Sequence, residues 1–247
     1  MAMTKLPPLP RAMLIDMDDT ILSAYGRPEI AWNTITNEFA DELAPLPPEQ
    51  VATAVLAFAR NFWANADASW RMKLGEARHL TVKGGFAALA AAGHRALSDD
   101  LAVRLADRFT AYREEEMFVF PGAHEAIDKF KEMGIKLALV TNGAADMQRA
   151  KVERFELTHR FDHIQIEGEH GFGKPEERAY LHAMEALGVS ARDTWMIGDN
   201  LEWEVVTPQR LGIYAIWIDV HGEGLPEGST IKPDRIIRSL TELVPAA

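Results

Sequence analysis

Two aspartates, Asp16 and Asp18, stand two residues apart at the end of the apolar run Ala12-Met13-Leu14-Ile15, and a third acid, Asp199, follows the run that ends in Ile197-Gly198. Between them in the chain come Thr141-Asn142-Gly143, directly behind the apolar stretch 136–140, and Lys174, inside Gly171-Phe172-Gly173-Lys174-Pro175. Period-two geometry points Asp16 and Asp18 the same way if the strand continues, so that both converge with Asp199. Carboxylates that close resist ionising together and call for a counter-charge, and an all-oxygen cluster without His or Cys suits Mg²⁺. Lys174 adds a second positive charge beside a proline that can open a helix. With the Thr141 hydroxyl and the backbone N–H groups of Asn142 and Gly143 as donors, the set fits an oxyanion with charge on several oxygens, such as a phosphoryl group.

The elements that must hold these residues are legible from periodicity. Short apolar runs at 12–18, 136–140, 163–166, 194–197, 213–218 and 234–237, the first abruptly acidic at its end, read as strands, and 123–133, 144–155, 175–187 and 201–211 read as helices between them. That alternation implies right-handed βαβ units, hence an α/β, Rossmann-like, mostly parallel sheet with helices on both faces. Ligands of such sheets collect beyond the C-terminal strand ends, where Asp16, Thr141 and Asp199 stand. After the first strand the texture changes to four amphipathic stretches, 29–43, 48–66, 69–92 and 98–115, with Ser98 as a cap and Gly84-Gly85 as a point where the third helix splits. The chain therefore divides into a catalytic core of residues 1–22 and 116–247 and an inserted α-helical domain of residues 23–115, with the loop 23–28 around Gly26 as a hinge.

Composition narrows the setting. The 247 residues carry 26 Lys+Arg against 37 Asp+Glu, a formal net charge of −11, and no Cys, which removes disulfides, thiolate catalysis and Cys-based metal centres. An acidic chain offers no broad basic face to nucleic acid or to an anionic membrane, and no run of about 18 apolar residues occurs. The expectation is a cytoplasmic protein whose partner is a small molecule.

Taken singly, the motifs are ordinary: an Asp pair near Thr caps turns, Thr-Asn-Gly is a turn, and Gly-Asp caps a helix. In this order, at three strand ends, they resemble the four motifs of the haloacid dehalogenase superfamily, matched by Asp16-Met17-Asp18-Asp19-Thr20, Thr141, Lys174 and Gly198-Asp199 followed by Glu204. The insert resembles the helical cap of that superfamily's C1 type. The resemblance implies that Asp16 is a nucleophile that becomes phosphorylated and that Asp18 is the general acid/base. It implies that Thr141 and Lys174 hold phosphoryl oxygens, and that Asp16, the Asp18 carbonyl and Asp199 bind Mg²⁺. Glu204 then stands near the metal, with Glu202 as the alternative acid. Relatives that displace halide generally lack an acid at the position of Asp18, so the resemblance points to a phosphatase acting on a small phosphorylated metabolite. A phosphomutase, a 2-haloacid dehalogenase and a non-catalytic phosphate-binding or phospho-acceptor module are the competing readings.

The rest of the chain carries weaker signals. Arg60, Arg71, Lys73, Arg78 and Lys83 read as the wet face of amphipathic helices, and Phe58, Phe62, Trp63 and Trp70 as packing residues. His159 and His163 lie four apart beside Asp162, but a break separates them from any shared helix face, so they read as loop residues near a strand start rather than as a zinc site.

Overall fold

The computed structural model describes residues 8–24 and 26–245; residues 1–7 and Tyr25 in the expected hinge lie outside them. Two compact units form, one from residues up to Ser23 together with Phe118 onward, the other from Ala24–Met117.

The first unit is built on a parallel sheet ordered β5-β4-β1-β6-β7-β8. Its strands are β1 (Ala12–Ile15), β4 (Lys136–Thr141), β5 (His163–Ile166), β6 (Thr194–Gly198), β7 (Tyr214–Ile218) and β8 (Arg235–Ile237). The three central strands are apolar almost throughout because both their faces are covered; only Lys136 of β4 reaches solvent. On one face Ala12, Leu14, Ala138, Val140 and Met196 pack on Ala179, Tyr180, Ala183, Met184 and Leu187 of α9 (Glu177–Leu187). The other connections are α6 (Ala123–Glu132), α7 (Ala145–Arg154), the short α8 (Glu167–His170) and α10 (Thr207–Arg210). In register, Ile15 of β1 sits between Leu139 of β4 and Ile197 of β6. The chain runs from β1 outward on one side, then returns to β6 on the other, so β1 marks the reversal of strand order where such sheets bind ligands.

Periodicity does not reveal an antiparallel ribbon, β2 (Leu22–Ser23) against β3 (Phe118–Val119), since two residues per strand give no period to read. The expected helix at 201–211 is also different in kind. Its first part, Leu201–Val206, is a π-helix, and only Thr207–Arg210 is α-helical. Pro208 has no N–H to return to the Glu204 carbonyl four residues back, which removes an α-type bond where the register changes.

The second unit contains α1 (Pro28–Glu38), α2 (Ala40–Leu43), α3 (Pro48–Asn65), α4 (Leu74–Ala91) and α5 (Asp99–Glu115). Its core joins Trp32 and Ile35 to Val51, Val55, Val82, Phe86, Leu105 and Phe109, with the Trp32 and Phe109 rings stacked at 4.2 Å. Ser98 caps α5 by accepting from Leu101 N–H, as its sequence position suggests. The stretch 29–43 is two helices, interrupted at Phe39, just after Thr36 and Asn37 turn their side chains onto the backbone carbonyls of Trp32 and Asn33. The start of 69–92 is a separate 3₁₀ turn, Ala68–Met72, capped by Asp67.

Gly84-Gly85 does not split the third helix. A Cβ on Gly85 would lie 2.8 Å from Val55 Cα, and one on Gly84 would lie 2.3 Å from the Phe58 ring. The glycines therefore let α3 and α4 approach backbone to backbone, and the packing outweighs the roughly 1 kcal/mol by which each glycine weakens a helix. Gly85→Ala is expected to destabilise the protein by about 1–3 kcal/mol despite alanine's better helix propensity, read as a lower melting temperature in calorimetry; an unchanged or raised value would contradict this packing account.

Candidate active site

Asp16 leaves β1 with its N–H still in the ladder, donating to Ile197 O at 2.9 Å. The next residues do not continue the strand. Met17 O accepts from Thr20, Ile21 and Leu22 N–H, and Asp19 takes a left-handed φ of 55°. The period-two expectation for Asp16 and Asp18 thus fails, because the backbone turns at Met17, and the two carboxylates have different partners.

The Asp16 carboxylate is buried. Its Oδ1 accepts from Lys174 Nζ at 2.5 Å and its Oδ2 from the Thr20 hydroxyl at 3.1 Å. Lys174 is 1% exposed and lies 2.8 Å from Glu204 Oε1, where Glu204 is fully buried. Burial alone would lower the Lys174 pKa, but the charges of Asp16 and Glu204 outweigh it and hold the ammonium well above its ordinary value. Glu204 Oε2 accepts from Asn200 N–H at 2.8 Å. Its Oε1 meets Lys174 as an ion pair without hydrogen-bond alignment and is left without a hydrogen bond in the interior. Glu202, the alternative acid, is exposed, because the π turn carries Glu204 inward.

Gly198 makes this closeness possible. A Cβ there would lie 2.1 Å from Glu204 Cγ and 3.0 Å from Asp16 Cβ. Asp199 follows, its carbonyl accepting from Trp217 Nε1 at 2.5 Å. Burial, then the charges of Asp16, Glu204 and Asp19, push the Asp199 carboxyl up to about 9. Burial and the Asp16 charge push Glu204 up to about 7 against the opposing pull of Lys174, and burial raises Asp16 too. One ammonium therefore faces three crowded carboxyl groups, and this negative excess, with an orphaned buried oxygen, is a fit donor set for a hard cation.

Asp18 is neutralised from another direction. Lys151 Nζ lies 2.7 Å and 2.9 Å from its two oxygens, and Gln148 Nε2 lies 3.0 Å from Oδ2. Gln148 Nε2 also lies 2.6 Å from the Thr141 hydroxyl and 2.9 Å from Asn142 O. Because Thr141 Oγ1 accepts here, its own hydrogen remains available to a ligand. Sequence reasoning passed over both residues. Their signal is their place on one face of α7, three apart, immediately after Thr141-Asn142-Gly143.

The turn after β4 differs from expectation. Gly143 N–H is donated to Glu167 Oε2 at 3.1 Å, so it is not directed at an oxyanion. The Asn142 side chain clamps the backbone of Lys174, Nδ2 donating to Lys174 O at 2.6 Å and Oδ1 accepting Lys174 N–H at 2.9 Å. Gly173 fits beside it, since a Cβ there would lie 2.6 Å from Asn142 Oδ1. Nor does Lys174 adjoin a helix N-terminus, as α9 begins only at Glu177. The two loops instead cross-link each other: Asn142 serves the position of Lys174, while Gly143 is tied to Glu167 and Gly168 of α8.

Comparison with known proteins bears on the family and the fold. The chain is 36% identical over 141 residues to phosphoserine phosphatase of Thermus thermophilus, a match that covers 56% of this chain and 55% of that protein, about half the length of each. The structure of the putative HAD-hydrolase YfnB from Bacillus subtilis, bound to magnesium, is similar at a TM-score of 0.65, with 24% identity, 95% of this chain and 97% of that one. So is a 2-haloacid dehalogenase from Pseudomonas syringae pv. Tomato DC3000, at a TM-score of 0.57 with 24% identity, 94% of this chain and 95% of that one, so the fold by itself does not choose the chemistry. The family model for haloacid dehalogenase-like hydrolases matches residues 10–212, and the chain belongs to that family.

Proposed function

We propose that the protein is a Mg²⁺-dependent phosphatase that hydrolyses a small phosphorylated metabolite. The observation that carries this reading is the pairing of two differently held carboxylates, Asp16 against buried Lys174 and Asp18 against Lys151 and Gln148. The first has the environment of a nucleophile poised beside a cation that meets developing charge; the second, two residues on, can exchange a proton with a leaving oxygen. The matched half of the phosphoserine phosphatase supports the same class of reaction.

In this reading Asp16 attacks phosphorus in line, and the ester oxygen leaves with a proton from Asp18. The resulting aspartyl-phosphate is cleaved by water that Asp18 deprotonates, microscopic reversibility assigning both transfers to one group. Lys174 and the Thr141 hydroxyl hold the phosphoryl oxygens. Asp16, Asp199 and the Asp18 carbonyl would hold Mg²⁺, with Glu204 behind them; when bound, the ion supplies charge neutralisation to the phosphoryl group. The helical unit, residues 24–117, is the proposed cap that discriminates among leaving groups.

Phosphate release should be measured on a panel of phosphorylated metabolites, with Mg²⁺ and with chelator. Wild type is expected to release phosphate only with Mg²⁺ and Asp16→Asn not at all, whereas equal inertness of both across the panel would discard the hydrolase reading. Asp18→Asn is expected to slow turnover by roughly 10²–10⁴-fold, the usual worth of a positioned acid/base, and a rate within a factor of a few of wild type would remove Asp18 from that role.

The raised carboxyls also set a pH dependence. Without metal, folded Glu204 and Asp199 keep protons up to about 7 and about 9, whereas in the unfolded chain they release them near 4.5 and 3.8. Between those limits the folded state binds the excess protons, so this stabilisation is complete at low pH and declines as pH rises. Mg²⁺ competes with those protons and is therefore expected to raise the melting temperature more at about pH 8 than at about pH 5; an equal rise at both would refute carboxylate ligation.

A further inference from the structure

Three histidines far apart in sequence meet in the first unit. His163 lies on β5, His170 ends α8 and His182 lies on α9, and one nitrogen of each falls within 4.8 Å of the others. The rings are tilted to one another by 74°, 55° and 63°, with centroids 6.1, 5.4 and 5.1 Å apart, so they converge by their edges rather than stack. His163 opens β5, at the strand start expected there, and it meets not His159 but two residues that periodicity could not bring near it.

The hydrogen bonds assign the free nitrogens. Gln165 Nε2 donates to Ala179 O at 2.8 Å, which fixes the amide and leaves Oε1, 2.8 Å from His182 Nδ1, as an acceptor. His182 must carry its proton on Nδ1 and its lone pair on Nε2. His170 Nδ1 faces Ile166 O at 3.1 Å, and a carbonyl only accepts, so the same tautomer follows. His163 Nε2 is buried with no hydrogen-bond partner. An imidazole oriented by an N–H donated to a carbonyl or amide oxygen, with its other nitrogen bare, is the arrangement of a metal ligand. Burial, then the neighbouring His182 and His170, hold His163 toward its neutral, ligating form.

We propose that His163, His170 and His182 form a binding site for a borderline-soft divalent cation, Zn²⁺ in the first instance, separate from the acidic cluster around Asp16. Imidazole favours such ions over Mg²⁺, and three neutral nitrogens leave a fourth position for water. Zn–N bonds of about 2.0–2.1 Å set tetrahedral ligand nitrogens roughly 3.4 Å apart, so binding draws the rings together from the 4.8 Å within which their nitrogens lie. All three side chains are half-buried, which leaves a path for the ion. The ion would join β5, α8 and α9, the elements on either side of the loop that carries Lys174.

The test is a Zn²⁺ titration of chelator-stripped full-length protein in excess Mg²⁺, read by calorimetry and melting temperature, with ring-proton NMR of the wild type. One ion per chain is expected, with shifts confined to the three imidazoles. His170→Gln and His182→Gln should each weaken binding by at least about tenfold and abolish the Zn²⁺-induced rise in melting temperature, while Asp16→Asn should bind as wild type does. Absence of binding, binding unaffected by both histidine substitutions, or binding lost in Asp16→Asn would overturn the proposal. Should the histidine variants fail to fold, the wild-type spectra decide, since Zn²⁺ that leaves the three rings unshifted refutes the site.

Discussion

Lys174 is the buried charge on which the candidate site depends. An ammonium taken out of water needs compensation on more than one side, and breaking a buried pair by removing one partner typically costs about 3–5 kcal/mol. Asp16 supplies that compensation from the end of β1 and Glu204 from the π turn that follows β6, the strand paired beside β1. Other features follow from keeping these three groups in contact. Gly198 leaves out the Cβ that would collide with Glu204, and Asn142 grips the backbone on both sides of the Lys174 peptide group.

The compensation is incomplete, and the chemistry lies in that remainder. Burial first, and then the crowding of acids around the single charge of Lys174, hold the Asp199 and Glu204 carboxyls above their ordinary pKa values. A fully neutralised cluster would be a structural ion-pair network with nothing left to bind. Asp18 is kept outside this crowd by the turn at Met17, which hands it to Lys151 on α7. Two carboxylates two residues apart thus acquire separate electrostatic surroundings, the condition under which neighbouring acids can take different roles.

The helical unit obeys a simpler constraint. Its core is apolar side chains from α1, α3, α4 and α5, and its most specific feature is a close approach of α3 and α4 at Gly84 and Gly85. Helix propensity there yields to packing, since moving two backbones apart would open space along the whole contact.

Much of the fold was legible because its signals are local. Short apolar runs alternating with amphipathic helices define a parallel sheet, and acids, Thr and Gly placed just after the runs mark its C-terminal edge. Asp16, Asp18, Thr141 and Asp199 could be singled out for that reason, without knowledge of a single contact, whereas Lys174 is picked out by its place beside Pro175, where no helix begins. What the tertiary structure alone decided is where each polar atom is used. The Gly143 N–H goes to Glu167, Asn142 serves Lys174, Lys151 and Gln148 hold Asp18, and three histidines from separate elements meet. Periodicity reports which face of an element is buried, but hydrogen bonds and ion pairs form between residues distant in sequence, and their partners exist only once the strands are in register.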